Sequence, residues 1–371
     1  MRNAVRVAML ALALLAACTT VPEKPAPAMP TETRFEATAW PDLPGWQQDA
    51  LADAWPALQA SCRTTRLAAA WNAFCLEAAR VTVTDTGAQR QLMESRLRPW
   101  RVASISGDAR HRVRADTGMI TGYYEPLLNG SRRRAGVFQT PLYAVPQDML
   151  TLDLAEAYPS LAGTRVRGKL QGRRVVPYPD RAQLADGRLL AGQELLWVDS
   201  AVDAFFLQIQ GSGRVRLDDG STVRLAYADV NGRPYRAIGR YLVDKGEMTV
   251  EQATAPALRE WLASHPERQQ EVFNHNPSVV FFREEALPDA SVGPRGALGV
   301  PLTPGRSIAV DPGLLPLGAP MFLSTTHPVS NAPLQRLVVA QDTGGAIRGA
   351  PRADLFWGWG ADAAEGAGRM R

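Results

Sequence analysis

The spacing of apolar residues divides the chain into helical and extended regions. Between Leu43 and about Arg101, apolar side chains recur at intervals of three or four, the spacing of helices that pack on a core. After Met119, glycine, proline and alternating apolar positions replace this period and predict β structure as far as about Val243. A helix is predicted around Thr249 to Ala263. The order is therefore helices, a β region, one helix and a second β region.

The second β region carries three aspartates at the ends of strand-like runs. They are Asp311 after Ser307–Val310, Asp342 after Leu337–Ala340, and Asp354 before Leu355. Strand ends can point side chains into one cleft, although aspartate is also a common turn-capping residue. Gly344, Gly345 and Gly349 favour a functional site, because glycines let a ligand approach the backbone closely.

The first β region contains two stretches that are suited to sugar binding. Thr121–Pro126 includes adjacent tyrosines beside a glutamate, and aromatic rings can stack on sugars while hydroxyl groups form hydrogen bonds. A half-buried strand carries the same residues for packing reasons. Ala204–Leu217 is predicted to form a strand, a Gly-Ser-Gly bend and a second strand, with Gln210 and Ser212 beside the glycines. Asn231-Gly232 is a strong turn signal.

The N-terminus predicts a secreted lipoprotein. Arg2 and Arg6 precede an apolar run over residues 7–17, which is too short for a transmembrane helix and is typical of a secretory signal. The run ends at Cys18 in a sequence that looks like a bacterial lipobox, so Cys18 is expected to be lipidated. Thr19 follows, and the resemblance to sorted lipoproteins implies the periplasmic face of the outer membrane. The proline-rich residues 19–33 are predicted to be a tether.

The net charge, the histidines and the cysteines bear on nucleic-acid binding, metal sites and disulfide formation. The formal charge of +4 is small for a chain of this size and gives no support for nucleic-acid binding, which would require basic clusters on one element. The four histidines are scattered without ligand spacing, so we expect neither a metal site nor a cofactor. In an oxidising compartment Cys62 and Cys75 could form a disulfide, but two buried thiols fit the sequence equally well.

Five separated motifs resemble those of the membrane-bound lytic murein transglycosylase A family. They are Thr121–Pro126, Gln210–Gly213, Asn231-Gly232 with Tyr235, Val310–Pro312 and Gln341–Ile347. The resemblance implies an α+β fold, mainly β, whose main domain combines N-terminal helices with a double-psi β-barrel. A second β-barrel is expected as an insert over 126–280, between the main-domain segments 34–125 and 281–371. The family pattern continues beyond Gly358–Gly368 into a last short strand. This chain stops at Arg371, so we expect a shortened C-terminus or a differently closed barrel.

The resemblance also implies an activity, the non-hydrolytic cleavage of peptidoglycan at the β-1,4 bond between N-acetylmuramic acid and N-acetylglucosamine. One carboxyl group protonates the glycosidic oxygen, then accepts the proton of the muramic C6 hydroxyl as a 1,6-anhydro end forms. Unlike ordinary glycosidases, such an enzyme needs neither a second carboxylate nor water. By match to the family, Asp354 is this acid and base, with a pKa raised by burial and nearby carboxylates. Asp342 is expected to stabilise the developing positive charge, and Asp311 to hold its turn.

Several residues are candidates to line the glycan groove, and either tryptophan among them could belong to the core instead. They are Thr121, Tyr123, Glu125, Gln210, Ser212, Asn231, Tyr235, Trp357 and Trp359. The expected partners are glycan strands, the outer membrane through Cys18, and other cell-wall enzymes. The protein is expected to be a monomer.

Three other functions fit parts of the sequence. A muramidase would use two carboxylates and water, and a non-catalytic wall-binding lipoprotein would use the aspartates only to shape a groove. An aspartic protease is suggested by Asp342-Thr343-Gly344, because the same triplet occurs at 85–87 and 116–118. The earlier triplets, however, lack the preceding apolar strand.

Overall fold

The computed structural model describes residues 31–107, 112–161 and 166–370. The fold is α+β, which confirms the predicted class. The helices are α1 (Leu51–Cys62), α2 (Asn72–Ala78), α3 (Thr86–Arg96), α4 (Arg181–Leu184), α5 (Ala201–Gln210), α6 (Ile238–Asp244), α7 (Ala255–Ser264), α8 (Gln269–His275) and α9 (Ala361–Arg369). The strands before α5 are β1 (Thr31–Ala37), β2 (Trp100–Gly107), β3 (Arg112–Ala115), β4 (Met119–Glu125), β5 (Leu127–Ser131), β6 (Thr140–Tyr143), β7 (Leu150–Leu152), β8 (Val166–Gln171), β9 (Arg174–Pro177) and β10 (Glu194–Val198). The strands after α5 are β11 (Ser212–Leu217), β12 (Thr222–Val230), β13 (Val280–Glu285), β14 (Ser307–Val310), β15 (Pro320–Thr326), β16 (Pro333–Thr343) and β17 (Arg352–Trp359).

The predicted signal sequence and Cys18 lie outside the described residues. So does most of the predicted tether. Its last residues, Thr31–Thr33, are not a tether, because they belong to β1 and pair with β2. Strands β1, β2 and β3 form a small antiparallel sheet.

The N-terminal helices pack as their apolar spacing predicts. Trp46 and Trp55 are buried with Leu51, Leu58 and Phe74 in one cluster. Leu337 and Val339 of β16 belong to the same cluster, so the helices are packed against the strand that leads to Asp342. Cys62 and Cys75 form a disulfide that joins α1 to α2. The structure thus settles an alternative that the sequence left open.

A mixed five-stranded sheet carries the aspartate motifs. Its strand order is β15-β16-β14-β17-β4. Strand β14 runs parallel to β16 and antiparallel to β17, and β17 runs parallel to β4. Helix α9 packs on β4 and β17. The first β region and the last quarter of the chain therefore meet in one sheet.

The segment between β4 and β14 builds a six-stranded sheet in the order β13-β12-β11-β5-β10-β6. Strands β7, β8 and β9 form a separate antiparallel sheet. Because β13 pairs with β12, the six-stranded sheet extends to Glu285, beyond the expected boundary of the insert at 280.

The predicted strand over Ala204–Gln210 is wrong, because this segment lies in helix α5. The Ser200 side chain accepts a hydrogen bond from the Asp203 amide at the N-terminus, and Gly211 ends the helix with a φ of 82°. Both are standard helix-ending signals. The apolar run alone is short enough to fit either a strand or a helix, whereas Ser200 and Gly211 at its ends specify a helix.

Candidate active site

Pairing across the five-stranded sheet places two aspartates in one row. Ala309 pairs with Asp342 on one side and with Asp354 on the other, and Asp354 pairs with Thr121 of β4. Side chains at paired positions project from the same face of a sheet, and neighbouring strands lie about 5 Å apart. Asp342, Asp354 and Thr121 therefore project from the same face of the sheet.

A β-bulge in β16 sets the direction of Asp342. Gln341 is the extra residue, since consecutive residues of β14 pair with Ala340 and Asp342. The Gln341 side chain is fully buried. Its hydrogen-bond partners are the Ser307 hydroxyl, the Ala57 carbonyl (2.8 Å) and the Ser61 hydroxyl (2.8 Å). Helix α1 thus anchors the residue that precedes Asp342.

Both carboxylate oxygens of Asp342 accept hydrogen bonds. The Ala297 amide donates to Oδ1 at 2.9 Å, and the Tyr123 hydroxyl donates to Oδ2 at 3.0 Å. Burial raises the pKa of Asp342, and these hydrogen bonds act in the opposite direction. Burial also raises the pKa of Tyr123 well above its usual value, so this phenol stays protonated and remains a donor. Its ring packs against Phe356 with ring centroids 5.3 Å apart.

Asp354 has a different environment, in which one oxygen has a described donor. The Thr121 hydroxyl donates to Oδ1 at 2.8 Å. Burial raises the pKa of Asp354 to about 6. The negative charge of Asp342 adds to this increase, whereas the Thr121 hydrogen bond and the positive charge of Arg352 oppose it. A carboxyl group with this pKa can hold or release a proton near neutral pH.

Asp311 holds turns, as its predicted role requires. Its Oδ1 accepts a hydrogen bond from the Gly313 amide at 3.1 Å, and its Oδ2 accepts one from the Gly349 amide at 2.9 Å. It lies after the end of β14, outside the row that joins Asp342 and Asp354. Its contacts fix the backbone beside the site.

Glu125, a candidate for glycan binding, is instead fully buried in an ion-pair cluster. Its carboxylate accepts hydrogen bonds from Arg214 Nε at 2.8 Å and from Arg224 Nε at 2.6 Å. The two arginines lie on β11 and β12, whereas Glu125 ends β4. This residue therefore connects the two large sheets, and it has no exposed surface for a ligand.

Asn231 and Trp357 also have structural contacts, although Trp357 keeps part of its surface exposed. The Asn231 side chain is fully buried and donates to the carbonyl groups of Pro179 and Pro277 at 2.9 and 3.0 Å. Trp357 lies three positions after Asp354 on β17 and packs against the core of the five-stranded sheet. Its indole nitrogen contacts Met370 Sδ at 3.3 Å.

The remaining candidates keep accessible surface. Gln210 and Ser212 are partly exposed where α5 meets β11, and Gln210 Oε1 accepts a hydrogen bond from the Tyr124 amide at 3.0 Å. Tyr235 is half-exposed in the segment before α6. Trp359 is partly exposed, with the Arg214 guanidinium 4.2 Å from its ring centroid. These four residues, together with Thr121 and Tyr123, which are partly exposed beside the two aspartates, stay predictions as glycan contacts.

Three functional elements were missed by the sequence-based prediction. Arg352 lies two residues before Asp354, and strand alternation could have placed both on one face. Gln341 is adjacent to Asp342 in the motif, but its part in a bulge follows only from the pairing register. The Ala297 amide is a backbone donor from a distant loop, and no side-chain pattern marks it.

Two further observations concern metals and membranes. Over the described ranges, no group of three or more histidine, cysteine, aspartate or glutamate side chains is arranged to hold a metal ion. Within the same ranges, helices with the length and apolarity needed to cross a membrane are absent.

The aspartic protease alternative is contradicted by the earlier triplets. Asp85 caps α3 and accepts a hydrogen bond from the Ala88 amide at 2.9 Å. Asp116 forms an exposed ion pair with Arg114 at 3.2 Å. Neither is paired with Asp342, so no second Asp-Thr-Gly lobe shares a proton with it in the described structure.

Comparison with known families supports the motif resemblance. Residues 119–283 match the MltA specific insert domain, and residues 306–371 match the 3D domain. Membrane-bound lytic murein transglycosylase A of Escherichia coli K12 is 33% identical over 256 residues, which are 67% of this chain and 62% of that relative. The chain therefore aligns with somewhat less than two thirds of this relative's length.

Solved structures extend the similarity over most of the chain. MltA from Neisseria gonorrhoeae, in a monoclinic form, is 33% identical with a TM-score of 0.75, and the match covers 93% of each chain. Escherichia coli MltA with bound chitohexaose is 25% identical with a TM-score of 0.66, again over 93% of each chain. With these similarities and the two domain matches, the chain belongs to the membrane-bound lytic murein transglycosylase A family.

Proposed function

We propose that this protein is a lytic transglycosylase that cleaves the β-1,4 bond between N-acetylmuramic acid and N-acetylglucosamine in peptidoglycan. The observation that carries this proposal is the pair Asp342 and Asp354, which lie on one face of the sheet with different hydrogen-bond environments. The names of the relatives, and the chitohexaose bound to the Escherichia coli protein, support a glycan as substrate.

Asp354 serves as the acid and then as the base in this proposal. Its protonated carboxyl donates to the glycosidic oxygen, and the bond from that oxygen to the muramic C1 breaks. The C6 hydroxyl oxygen then attacks C1, and its proton returns to Asp354 as the 1,6-anhydro ring closes. The proton balance is complete without water, and the raised pKa of Asp354 suits both steps.

Asp342 stabilises the positive charge that develops at C1. Hydrogen bonds to both of its oxygens favour the ionised form, and a fixed negative charge in a recessed site interacts strongly with a developing cation. Gln210, Ser212, Tyr235 and Trp359 are the proposed glycan contacts, because they combine hydrogen-bonding or aromatic groups with accessible surface.

Localisation and domain organisation belong to the same proposal. A lipid on Cys18 would hold the enzyme at the periplasmic face of the outer membrane, with 19–30 as tether. The proposed main domain comprises residues 34–125 and 281–371 and the proposed insert comprises 126–280, and the pairing of β13 with β12 supports extending the insert to Glu285. A monomer and contacts with other cell-wall enzymes are proposed from the family resemblance alone.

Digestion of purified peptidoglycan tests the function. The soluble protein starting after Cys18 should release fragments that are lighter by one water than hydrolytic products, as measured by mass spectrometry. Asp354→Asn should release none, whereas Asp218→Asn, in the exposed hairpin between β11 and β12, should match the wild type. Products with free reducing ends would identify a muramidase, and sacculus binding without any product would identify a wall-binding protein.

A further inference from the structure

Arg352 lies two residues before the proposed acid on β17, and among the described residues it forms no direct hydrogen bond with Asp354. Its Nη1 donates to the Thr121 hydroxyl oxygen at 2.9 Å, to the Ala353 carbonyl at 2.8 Å and to the Met119 carbonyl at 3.2 Å. A guanidinium group has donors and no acceptor. The Thr121 oxygen must therefore act as the acceptor in this contact.

This constraint fixes the direction of the next hydrogen bond. A threonine hydroxyl has one hydrogen, and here that hydrogen points to Oδ1 of Asp354, 2.8 Å away. If the proton of Asp354 were on Oδ1, two hydrogens would compete for the same short contact. The hydroxyl hydrogen of Thr121 would then lose its acceptor in a recessed site, which is unfavourable.

We propose that Arg352 is a positioning residue that, through Thr121, keeps Oδ1 of Asp354 unprotonated and so places the catalytic proton on Oδ2. Within the described part of the chain, Oδ2 accepts no hydrogen bond, so it is the oxygen that can face the glycosidic bond. The same arrangement returns the C6 proton to Oδ2 at the end of the reaction. This inference rests on the proposed function of Asp354.

The contacts from Arg352 through Thr121 to Asp354, here called the relay, have a measurable effect on the ionisation of Asp354. The Thr121 hydrogen bond and the Arg352 charge both stabilise the ionised form of Asp354. Loss of either group should therefore raise the pKa of Asp354, move the alkaline limb of the pH profile of kcat to higher pH, and lower kcat. The loss in kcat should exceed any change in KM, because both side chains act on Asp354, although Thr121 is also a candidate to line the glycan groove.

A double-mutant cycle with Thr121→Val and Arg352→Met is the first test. Each single variant should lower kcat about 10- to 100-fold, the scale of a hydrogen bond to a charged group. If Arg352 acts through Thr121, the double variant should lose no more than Thr121→Val alone. Additive losses, or an alkaline limb that does not move in either single variant, would overturn the inference. Thr121→Ser retains the hydroxyl and should restore most of kcat.

A titration without substrate keeps the test independent of activity. The ¹³C carboxyl resonance of Asp354, assigned by its absence in Asp354→Asn, should titrate at higher pH in Thr121→Val and Arg352→Met than in the wild type. An unchanged midpoint in folded variants would contradict the relay even if kcat fell. Failure of the wild-type protein to form anhydro products would instead reject the proposed function and leave this titration result unaffected.

Discussion

A fully buried and a partly buried carboxyl group on neighbouring strands have opposite surroundings. Glu125 ends β4, and its two oxygens are paired with the guanidinium groups of Arg214 and Arg224. Asp354 lies on β17, the strand next to β4, and has one hydroxyl donor on one oxygen. Two arginines therefore neutralise the charge of Glu125. Among the described residues, no arginine forms a hydrogen bond or ion pair with the Asp354 carboxylate.

The difference shows that burial alone does not make a catalytic acid. Burial disfavours a charged carboxylate, but direct ion pairs can offset that cost and turn the group into a structural connector. Where the offset is incomplete, as at Asp354, the pKa rises toward neutral pH and the group can transfer a proton. Asp342 is intermediate, with two hydrogen-bond donors and no direct arginine partner among the described residues.

The largest expected effect follows from removing the proton of Asp354. Asp354→Asn keeps the shape of the side chain but cannot donate and recover a catalytic proton, so kcat should fall about 10³-fold or more. The rate of anhydro-product release measures this loss. A kcat within tenfold of the wild type would mean that another group is the acid.

Removing the charge of Glu125 should affect stability rather than chemistry. Glu125→Gln leaves two buried guanidinium groups without their carboxylate, which typically costs about 3–5 kcal/mol of unfolding free energy. Denaturant unfolding measures the loss, and kcat per folded molecule should be retained. The control is Glu284→Gln, which breaks a more exposed pair with Arg132 and should cost about 1 kcal/mol or less.

Ionisation of Asp354 should lower the free energy of unfolding at high pH, in contrast to the charge of Glu125, whose removal lowers it. Its folded pKa of about 6 lies above its ordinary value of 3.8, so its contribution is present at low pH and is lost as pH rises through 6. Asp354→Asn should therefore be more stable than the wild type at pH 8, by at most about 3 kcal/mol, and similar to it at pH 4. Thermal unfolding at both pH values measures the difference. Equal stability of the two proteins at pH 8 would show that ionisation of Asp354 does not destabilise the folded protein.

A smaller effect is expected at the bulge that directs Asp342. Gln341→Leu leaves buried partners on α1 and β14 without their hydrogen bonds, which should cost about 1–3 kcal/mol in stability. It should also lower kcat more than it changes KM, because the backbone before Asp342 loses its anchor. Ser324→Ala, on the neighbouring strand β15, is a control that should change neither quantity. A stable variant with wild-type kcat would show that Gln341 does not position Asp342 for catalysis.

The sequence predicted those features that depend on local pattern or on separated motifs. The apolar spacing identified the N-terminal helices, and the motifs identified the family and the aspartates. It did not predict the row formed by Ala309, Asp342 and Asp354, because that row depends on pairing between distant strands and on the bulge at Gln341.

The errors in the predicted site have one physical cause. Glu125 and Asn231 are residue types that can bind sugars, but the same groups also satisfy buried partners. Sequence position does not reveal whether the partner is a ligand or the protein itself. Likewise, the Arg352–Thr121 contact joins residues 231 positions apart and becomes visible only when β17 is paired with β4.

The central claim is that Asp354 moves one proton out and back without the use of water. Digestion of peptidoglycan in H₂¹⁸O, followed by mass spectrometry of the released fragments, tests it most directly. The account predicts anhydro ends that contain no ¹⁸O and that disappear in Asp354→Asn. Reducing ends that carry ¹⁸O would contradict it, because they would show that water attacks C1 and that the enzyme is a hydrolase.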